Sequence, residues 1–390
     1  MTEIVVVAAA RTPQGRLQGA LSSFSAPQLG ALAIEGALER GGVDPATVDA
    51  VIMGQVLPAG SGQNPARQAA LGAGIGWVTP AHSVNKVCLS GLTAVIDAAR
   101  MIASGDAEVV VSGGMESMSQ APHLLMGSRA GWKYGAVEAL DHMAHDGLTD
   151  AHDGVSMGES TERHNPRFEV TREDQDRVAA LSHQRAANAA DLLTEEIVPV
   201  SVPQRRGEPV RVTADEGIRP DTTEESLARL RPAFAEGGTI TAGNSSQISD
   251  GAAALVLTTS ARADAEGWQI MARIGASGQT AGPDGSLQAQ PADAIVRALQ
   301  KQGITVADLD LVEINEAFGA VVAHSQRALG ASEEIVNVHG GGIALGHPIG
   351  ASGARLVVHM AHELTRRGSG TAAVGLCGGG GQGEALVLLR

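Results

Sequence analysis

Apolar runs and amphipathic stretches alternate along this chain of 390 residues. Continuous apolar runs, such as Ile4–Ala10 and Val109–Val111, predict strands that are buried on both faces. Stretches such as 92–104 and 354–367 repeat apolar positions at helical spacing and predict helices that cover these strands. The alternation is typical of an α/β protein with a mostly parallel sheet covered by helices on both faces.

The same order of elements occurs twice. Segment 37–51 predicts a helix, a Gly stop, a short loop and a strand, and it matches segment 298–312 at an offset of 261 positions. Ser90-Gly91, which precedes a long helix and a strand, matches Ser352-Gly353 at an offset of 262 positions. Matches in the same order at a nearly constant offset indicate a duplicated fold.

A region of different composition separates the two halves. It is richer in charge and proline, and its one clear helix, about 172–191, has Thr171 as N-cap with Asp174 at the capping-box position. We therefore expect three parts. They are an N-terminal half over 1–118, to which 242–267 returns, an inserted loop domain over 119–241, and a C-terminal half over 268–390.

An excess of acidic side chains narrows the choice of partners. The 43 Asp and Glu against 28 Lys and Arg give a net charge of −15, which disfavours nucleic acid and anionic membranes. The apolar runs are too short to span a membrane, and the first residues enter a strand pattern without the segments of an export signal. We expect a cytoplasmic protein with reduced cysteines and no metal site.

Cys88 is the first candidate for chemistry. It follows a predicted strand over 81–84 and lies where a long helix begins. The positive end of the helix dipole favours a thiolate there, which is the position of an activated nucleophile. A buried cysteine that only packs at this junction is the alternative.

Three more polar side chains lie at predicted strand ends or in adjoining loops. Cys377 ends a strand and enters four glycines, whose amides can approach a ligand closely. His347 is held extended by Pro348 and is a candidate base or oxyanion donor. Asn315 ends a strand at the edge where open α/β sheets have their sites. Each of these three side chains could instead have only a structural role. The duplication nevertheless predicts that the loops before the two Ser-Gly helices lie close together.

Four motifs together resemble those of thiolases of the acetyl-CoA C-acetyltransferase type. They are N-K-V-C-x-S-G at 85–91, N-E-A-F at 315–318, G-H-P-x-G-x-S-G at 346–353 and C-G-G-G-G-Q at 377–382. The resemblance covers nearly the whole chain. It implies a duplicated five-layered αβαβα core and a homotetramer built from tight dimers.

The resemblance also implies roles for residues. Cys88 resembles the nucleophile that carries an acyl group, and His347 the base that activates it and donates to a substrate oxyanion. Cys377 resembles the acid/base at the α-carbon, and Asn315 the residue that orients a water molecule. The backbone N–H groups of Cys88 and Gly379 resemble a second oxyanion hole.

The implied reaction is 2 acetyl-CoA = acetoacetyl-CoA + CoA, with ping-pong kinetics through acyl-Cys88. Coenzyme A is then substrate and product, and no further cofactor is expected. Nine positions match coenzyme A contacts in the family: Leu148, Met157, Arg219, Ser226, Ala233, Phe234, Ala242, Ser246 and Phe318.

The chain departs from the family pattern at a few positions. Ser156 precedes Met157 where His-Met is expected, and Gly319 and Gly342 occupy positions where Ala is usual. Ser156 leaves acyl-chain length open, so a 3-ketoacyl-CoA thiolase of β-oxidation that acts on longer chains is the alternative. A catalytically inactive acyl-CoA-binding protein is the alternative from another functional class.

Overall fold

The computed structural model describes residues 2–390. The strands are β1 (Ile4–Arg11), β2 (Gly15–Arg16), β3 (Ala50–Gly54), β4 (Ala81–Val84), β5 (Val110–Ser117), β6 (His123–Leu125), β7 (Ala139–Asp141), β8 (Val200–Val202), β9 (Val210–Val212), β10 (Ser249–Thr259), β11 (Ala272–Ala281), β12 (Leu311–Ile314), β13 (Thr371–Gly378) and β14 (Gln382–Leu389). The helices are α1 (Ala26–Gly41), α2 (Pro65–Gly72), α3 (Ser90–Ser104), α4 (Met157–His164), α5 (Arg172–Asn188), α6 (Ala190–Thr194), α7 (Glu224–Ala228), α8 (Ser260–Glu266), α9 (Gln290–Gln302), α10 (Gly319–Leu329), α11 (Gly342–Leu345) and α12 (Ser352–Arg367).

The main sheet is mixed, so the prediction of a mostly parallel sheet is wrong. Its strands hydrogen-bond in the order β12-β13-β14-β11-β1-β10-β5-β3-β4, with β2 beside β10. The pairs β12–β13, β3–β5 and β3–β4 are parallel, whereas the other pairs are antiparallel. A continuous apolar run indicates burial on both faces, as in β1 and β5, but the connections set the strand direction.

Three apolar cores divide the molecule into five layers. The central core places α3 and α12 between the two halves of the sheet. A second core packs α1 and α2 on the outer face of the N-terminal half, and a third packs α9 and α10 on the outer face of the C-terminal half. The predicted αβαβα arrangement is therefore confirmed.

The two halves repeat the same elements. Helices α1 and α9 both end at a glycine in the left-handed region, Gly42 with φ 61° and Gly303 with φ 79°. A short 3₁₀ turn and a buried strand, β3 or β12, follow in each half. The strands after α3 and α12, β5 and β13, are each eight residues long. These matches confirm the duplication.

The Ser-Gly pairs let the two central helices approach closely at their N-termini. A Cβ atom on Gly91 would lie 2.8 Å from the Ala354 nitrogen, and one on Gly353 would lie 2.4 Å from the Leu92 nitrogen. Only glycine allows such contact between backbones. The loops that precede α3 and α12 are therefore brought side by side.

Segment 119–241 contains short elements and one long helix. As predicted, α5 begins at Arg172 with a capping box between Thr171 and Asp174, but it ends at Asn188. The sequence analysis does not predict the helices α4, α6 and α7, because five to eight residues are too few to give a periodic signal. After this segment β10 lies between β1 and β5. The three-part division itself stays a prediction.

Buried charge connects segment 119–241 to the core. The Arg11 guanidinium on β1 donates to Glu196 at 2.6 Å and to both carboxylate oxygens of Asp215 at 2.6 and 2.9 Å. Glu196 also contacts His359 Nδ1 of α12 at 2.9 Å. All four side chains are buried. Because buried charges need partners, this network holds the segment in one position on the core.

The segment Val87–Ser104 is as apolar as a membrane span, with a mean hydropathy of 1.4. In the fold it comprises the end of the loop after β4 and the whole of α3. Leu92, Val95 and Ile102 of this helix are buried in the central core. Its apolar composition therefore fits its place between the two halves of the sheet.

Candidate active site

The loop over residues 85–89, called here the Cys88 loop, is fixed by its own hydrogen bonds. The Val87 N–H donates to Asn85 Oδ1 at 3.0 Å, and the Lys86 N–H donates to Ser90 Oγ at 2.8 Å. Ser90 Oγ donates in turn to the Val87 carbonyl at 2.6 Å. Val87 has φ +51°, a conformation that costs a β-branched residue energy. The loop therefore presents Cys88 from a constrained backbone.

His347 is buried in the loop between α11 and α12. Its Nδ1 lies 2.5 Å from Ser352 Oγ, and Ser352 Oγ donates to the Pro348 carbonyl at 2.9 Å. The serine hydroxyl therefore accepts a hydrogen bond from Nδ1–H, which leaves the lone pair on Nε2. Asn315 Nδ2 lies 3.4 Å from that Nε2. The ring is thus oriented with its basic nitrogen beside Asn315.

Cys377 lies on β13, next to the turn that leads into β14. Gly380 and Gly381 in this turn have φ +77° and +63°, and a Cβ atom on Gly381 would lie 1.9 Å from the Asp284 carbonyl oxygen. The turn therefore requires glycine. The backbone N–H groups of Gly379 and Cys88 lower the pKa of the Cys88 thiol, against the effect of burial. The role of these two amides as an oxyanion hole stays a prediction.

Asn315 is held at the end of β12. It is fully buried, and its backbone N–H donates to the Gly375 carbonyl at 3.0 Å. Within residues 2–390 its Oδ1 has no hydrogen-bond partner. One face of the amide thus contacts His347, and the other is free to accept a hydrogen bond.

Two adjoining cavities connect these side chains to the surface. An inner cavity of about 50 Å³ is lined by Cys88, His347, Cys377 and Gly379. An outer cavity of about 440 Å³ shares six lining residues with it: Leu148, Met157, Ser246, Phe318, His347 and Ile349. The predicted catalytic residues therefore lie together at the inner end of one channel, with Asn315 in contact with His347.

Most of the predicted coenzyme A residues line the channel. Leu148, Met157, Ser246 and Phe318 line both cavities. The other three line the outer cavity: Ala233, Phe234 and Ala242. The Phe234 ring packs against Gly158, where a Cβ atom would lie 2.4 Å from the ring. The channel wall is therefore mostly apolar.

Arg219 and Ser226 lie outside both cavities and are exposed. Each adjoins a residue near the channel. Gln247 lines the outer cavity and donates to the Gly217 carbonyl at 3.1 Å, two residues before Arg219. Leu227 packs at Gly243, which follows Ala242 of the cavity wall. Both side chains therefore lie on the surface, in segments that adjoin residues of the outer cavity wall.

Ser156 lines the outer cavity but not the inner one. It is the N-cap of α4, and its Oγ accepts a hydrogen bond from the Glu159 N–H at 3.1 Å. It therefore lies outside the inner cavity, and the acyl-chain length that Ser156 leaves open is not decided by its location. Its hydroxyl caps a helix beside the wider channel.

The structure explains one of the two unusual glycines. A Cβ atom on Gly319 would lie 2.8 Å from the Gln175 carbonyl oxygen, so glycine lets α10 approach α5 closely. A Cβ atom on Gly342 would make ordinary contacts of 3.4 Å with Asn315 and Glu316. Nothing in the structure requires glycine at 342.

Burial controls the ionisation of the site. Burial raises the pKa of the Cys88 thiol to about 11, although the N–H groups of Gly379 and Cys88 oppose this shift. The helix start favours a thiolate whereas loss of solvation favours the neutral thiol, and burial has the largest effect on the pKa of Cys88. Burial, followed by the charge of Arg355, lowers the pKa of His347 to about 3. Burial also raises the pKa of Cys377.

Several residues of the site were not predicted. Apolar side chains and backbone from five separate segments complete the inner cavity: Val87, Gly147, Leu287, Ala317 and Ile349. Gly147 and Leu287 lie outside the four motifs, whereas Val87, Ala317 and Ile349 lie within them but are residue types that do not suggest chemistry. Ser352 could have been noticed, because it lies five positions after His347 in a quoted motif. Glu116, fully buried beneath the site, has a pKa raised to about 7 by burial.

Within residues 2–390 the structure groups no three His, Cys, Asp or Glu side chains that could hold a metal ion. The chemistry available at the inner cavity is that of two thiols, an imidazole, an amide and two backbone N–H groups. These groups can transfer an acyl chain through a cysteine and move a proton at a neighbouring carbon.

Comparison with known proteins identifies the family to which this chain belongs. The family model of the thiolase N-terminal domain matches residues 4–261, and that of the thiolase C-terminal domain matches residues 268–390. The chain belongs to the thiolase family. This thiolase is 55% identical to a Mycobacterium tuberculosis protein named "Probable acetyl-CoA acetyltransferase", over 100% of this chain and 99% of that protein.

Two further relatives carry a similar name. Proteins named "Acetyl-CoA acetyltransferase" from Chromobacterium violaceum and Cupriavidus necator are 49% and 48% identical to this thiolase. In both comparisons the match covers 100% of each chain. The predicted family membership is therefore confirmed along the whole chain.

Proposed function

We propose that this thiolase is an acetyl-CoA acetyltransferase that condenses two molecules of acetyl-CoA to acetoacetyl-CoA and CoA, and catalyses the reverse thiolysis. The observation that carries the proposal is the shared inner cavity, where Cys88, His347 and Cys377 meet at the end of a channel. An inactive acyl-CoA-binding protein would not need two thiols and a base at one point.

In the first half-reaction His347 Nε2 takes the proton of Cys88. The thiolate attacks the thioester carbon of acetyl-CoA, and the N–H groups of Cys88 and Gly379 stabilise the oxyanion that forms. Loss of one such donor typically costs about 2.7–4 kcal/mol of transition-state stabilisation. The carbon–sulfur bond to CoA then breaks, the CoA sulfur takes the proton of Cys377, and Cys88 remains acetylated.

In the second half-reaction the Cys377 thiolate removes an α-proton from a second acetyl-CoA. His347 and a water molecule oriented by Asn315 Oδ1 stabilise the enolate oxygen. The enolate carbon attacks acetyl-Cys88 and forms the carbon–carbon bond of acetoacetyl-CoA. The Cys88 sulfur leaves and recovers its proton from His347, so the enzyme returns to its starting state.

A short acyl group fits the inner cavity. Its volume of about 50 Å³ is small beside the 440 Å³ of the outer cavity, and buried side chains such as Leu287 and Ile349 close it. A longer 3-ketoacyl chain would have to displace these side chains from a close-packed core. The proposal therefore favours acetoacetyl-CoA over the longer substrates of β-oxidation, and assigns the enzyme to short-chain lipid metabolism.

Coenzyme A would occupy the outer channel as substrate and product. The pantetheine arm lies along Met157, Phe234, Ala242 and Phe318, while Arg219 and Ser226 meet the nucleotide end at the surface. Arg219 supplies a planar cation for phosphate despite the net charge of −15. No further cofactor enters the proposed reaction. A cytoplasmic location keeps the Cys88 and Cys377 thiols reduced.

Two exposed apolar surfaces support a homotetramer built from dimers. One surface adjoins β4, the edge strand of the sheet, where Trp77 and Val78 are 80% and 95% exposed. The other is the arm over residues 123–141, where Leu125, Met126 and Trp132 are more than half exposed. Unpaired sheet edges and apolar surfaces favour association between copies.

The test is thiolysis with CoA of 3-ketoacyl-CoA substrates of increasing chain length. We expect a high rate with acetoacetyl-CoA that falls steeply as the chain lengthens. Equal or higher rates with longer chains would move the assignment to a β-oxidation thiolase. Cleavage of no substrate by the folded enzyme would leave the acyl-CoA-binding alternative.

A further inference from the structure

A buried glutamate on the hairpin that carries Cys377 contacts the Cys88 loop. Glu384 on β14 is fully buried, and its Oε1 lies 3.1 Å from the Lys86 ammonium. Its carboxylate also accepts hydrogen bonds from Thr93 of α3 and Gln279 of β11. The proposed mechanism gives Glu384 and Lys86 no chemical task.

These contacts hold the segment that carries Cys88 from both sides. Lys86 lies two residues before Cys88, and Thr93 lies five residues after it. The Cys88 loop is already closed by its own hydrogen bonds, so its remaining freedom is movement as one body with the start of α3. Glu384 restrains that movement by charge and hydrogen bonds.

The same glutamate belongs to the hairpin that carries Cys377. In the β13–β14 pairing Glu384 lies opposite Leu376, and the next pair is Cys377 with Gly383. One carboxylate thus joins the Cys88 loop of the N-terminal half to the Cys377 hairpin of the C-terminal half.

The position of the Cys88 loop relative to the loop that carries His347 is held independently. It depends on the close approach of α3 and α12, where Gly91 and Gly353 lie against backbone atoms of the opposite helix. Loosening the Lys86–Glu384 pair should therefore move Cys88 relative to Cys377 more than relative to His347.

We propose that Glu384 and Lys86 are positioning residues that set the placement of Cys88 relative to Cys377. This inference rests on the proposed function, because only carbon–carbon bond formation and its reversal require the α-carbon at Cys377 and the acetyl group on Cys88 to meet. Acetylation of Cys88 needs the thiol, His347 and the two amides, and Cys377 enters it only as the proton donor to the departing CoA sulfur. The pair therefore serves the second half-reaction more than the first.

The test measures the two half-reactions separately in Lys86→Met and Glu384→Gln. Acetylation of Cys88 by acetyl-CoA is followed by the mass of the intact protein, and condensation by formation of acetoacetyl-CoA. We expect condensation to fall about 10- to 100-fold, as for a misplaced reacting group. We expect the acetylation rate to change much less.

Each single variant leaves the other member of the pair with a charge that has lost its partner, and such a variant could fold poorly. The double variant Lys86→Met/Glu384→Gln removes both charges, so the proposal can still be tested with it. If the pair acts as a unit, the double variant loses no more condensation activity than the worse single variant. Equal loss of both half-reactions would indicate general loosening of the fold and overturn the proposal. Unchanged condensation would also overturn it.

Arg367→Met is the matched control. Arg367 also pairs with a buried glutamate, Glu363, at 2.6 Å, but at the C-terminal end of α12. That end is about 24 Å along the helix from the site. Both half-reactions should persist in this variant. If wild-type enzyme fails to acetylate Cys88, the proposed function itself fails, and this outcome is separate from failure of the positioning role.

Discussion

Burial keeps the reacting groups neutral in the resting enzyme. The pKa of Cys88 is raised to about 11 and that of His347 is lowered to about 3, so thiol and imidazole coexist over the physiological range. A low-dielectric site disfavours both charges at once. In the proposed reaction, proton transfer from Cys88 to His347 therefore occurs when the substrate carbonyl is in place, because the amides then stabilise the developing oxyanion.

The ionisation of Cys88 predicts how alkylation of the thiol depends on pH. Between about pH 6 and 10 the thiolate is the minor form, and its fraction rises about tenfold per pH unit until the pH reaches the pKa. The rate of Cys88 alkylation by iodoacetamide should therefore rise about tenfold for each pH unit in this range. Peptide mass analysis distinguishes Cys88 from Cys377. A rate that is constant from pH 5 to 8 would reveal a resting thiolate–imidazolium pair and contradict the prediction.

Ser352 orients the base. Ser352→Ala removes the acceptor of the His347 Nδ1–H bond, which is 2.5 Å long, and leaves a buried donor unpaired. We expect the rate of Cys88 acetylation to fall about tenfold or more, while the KM for acetyl-CoA changes little. Ser325→Ala, which removes a buried hydroxyl from α10, is the control. Similar losses in the two variants would argue against a specific role.

At the scale of elements, two helix starts create the site. The Cys88 loop precedes α3 and the His347 loop precedes α12, and the duplication relates these helices to each other. Their N-termini touch through Gly91 and Gly353. The glycine of each Ser-Gly pair is thus required for the close packing of the two helices. The loops before the two pairs differ in their functional groups, a thiol in one and an imidazole in the other.

This close approach predicts a large cost for a single methyl group. Gly353→Ala places a Cβ atom 2.4 Å from the Leu92 nitrogen, which is backbone and cannot rotate away. We expect a lower melting temperature and a loss of about 2 kcal/mol or more of unfolding free energy. Gly76→Ala is the matched control, because its Cβ would meet no atom within 4 Å. Equal melting temperatures for the two variants would refute the packing argument.

At the scale of the whole molecule, the site lies where the two halves meet. Cys88 comes from the N-terminal half, while Asn315, His347 and Cys377 come from the C-terminal half. The residues of the outer cavity come largely from segment 119–241 and the chain that follows it. The buried network of Arg11, Glu196 and Asp215 holds that segment in place. Each part of the chain therefore supplies one component of the channel.

The exposed arm predicts how copies associate. Met126→Ser combined with Trp132→Ser removes apolar side chains that are 62% and 51% exposed. In the proposed homotetramer this arm buries apolar surface between copies, so we expect sedimentation to show a smaller species for the variant than for the wild type. The fold within each copy should persist. As a control, serine substitutions of the exposed Leu230 and Val296 should leave the sedimenting species the same size as the wild type. If the Met126→Ser/Trp132→Ser variant also keeps the wild-type size, the prediction is contradicted.

The sequence by itself determined the family, the duplicated α/β fold and the four motifs of the candidate active site. It could do so because these features are local. The helix stops at Gly42 and Gly303 depend on conformations that glycine adopts readily, and the helix start at Thr171 depends on a short-range cap. The motifs around Cys88, His347 and Cys377 are likewise contiguous.

Tertiary structure decided the features that depend on distant residues. The strand directions depend on connections, the five apolar or backbone contributors to the inner cavity come from separate segments, and the Lys86–Glu384 contact spans 298 positions. Desolvation likewise raised the pKa of Cys88 where the local helix start predicted a thiolate. The burial of a side chain and its long-range contacts depend on residues from the whole fold, so no short stretch of sequence determines them.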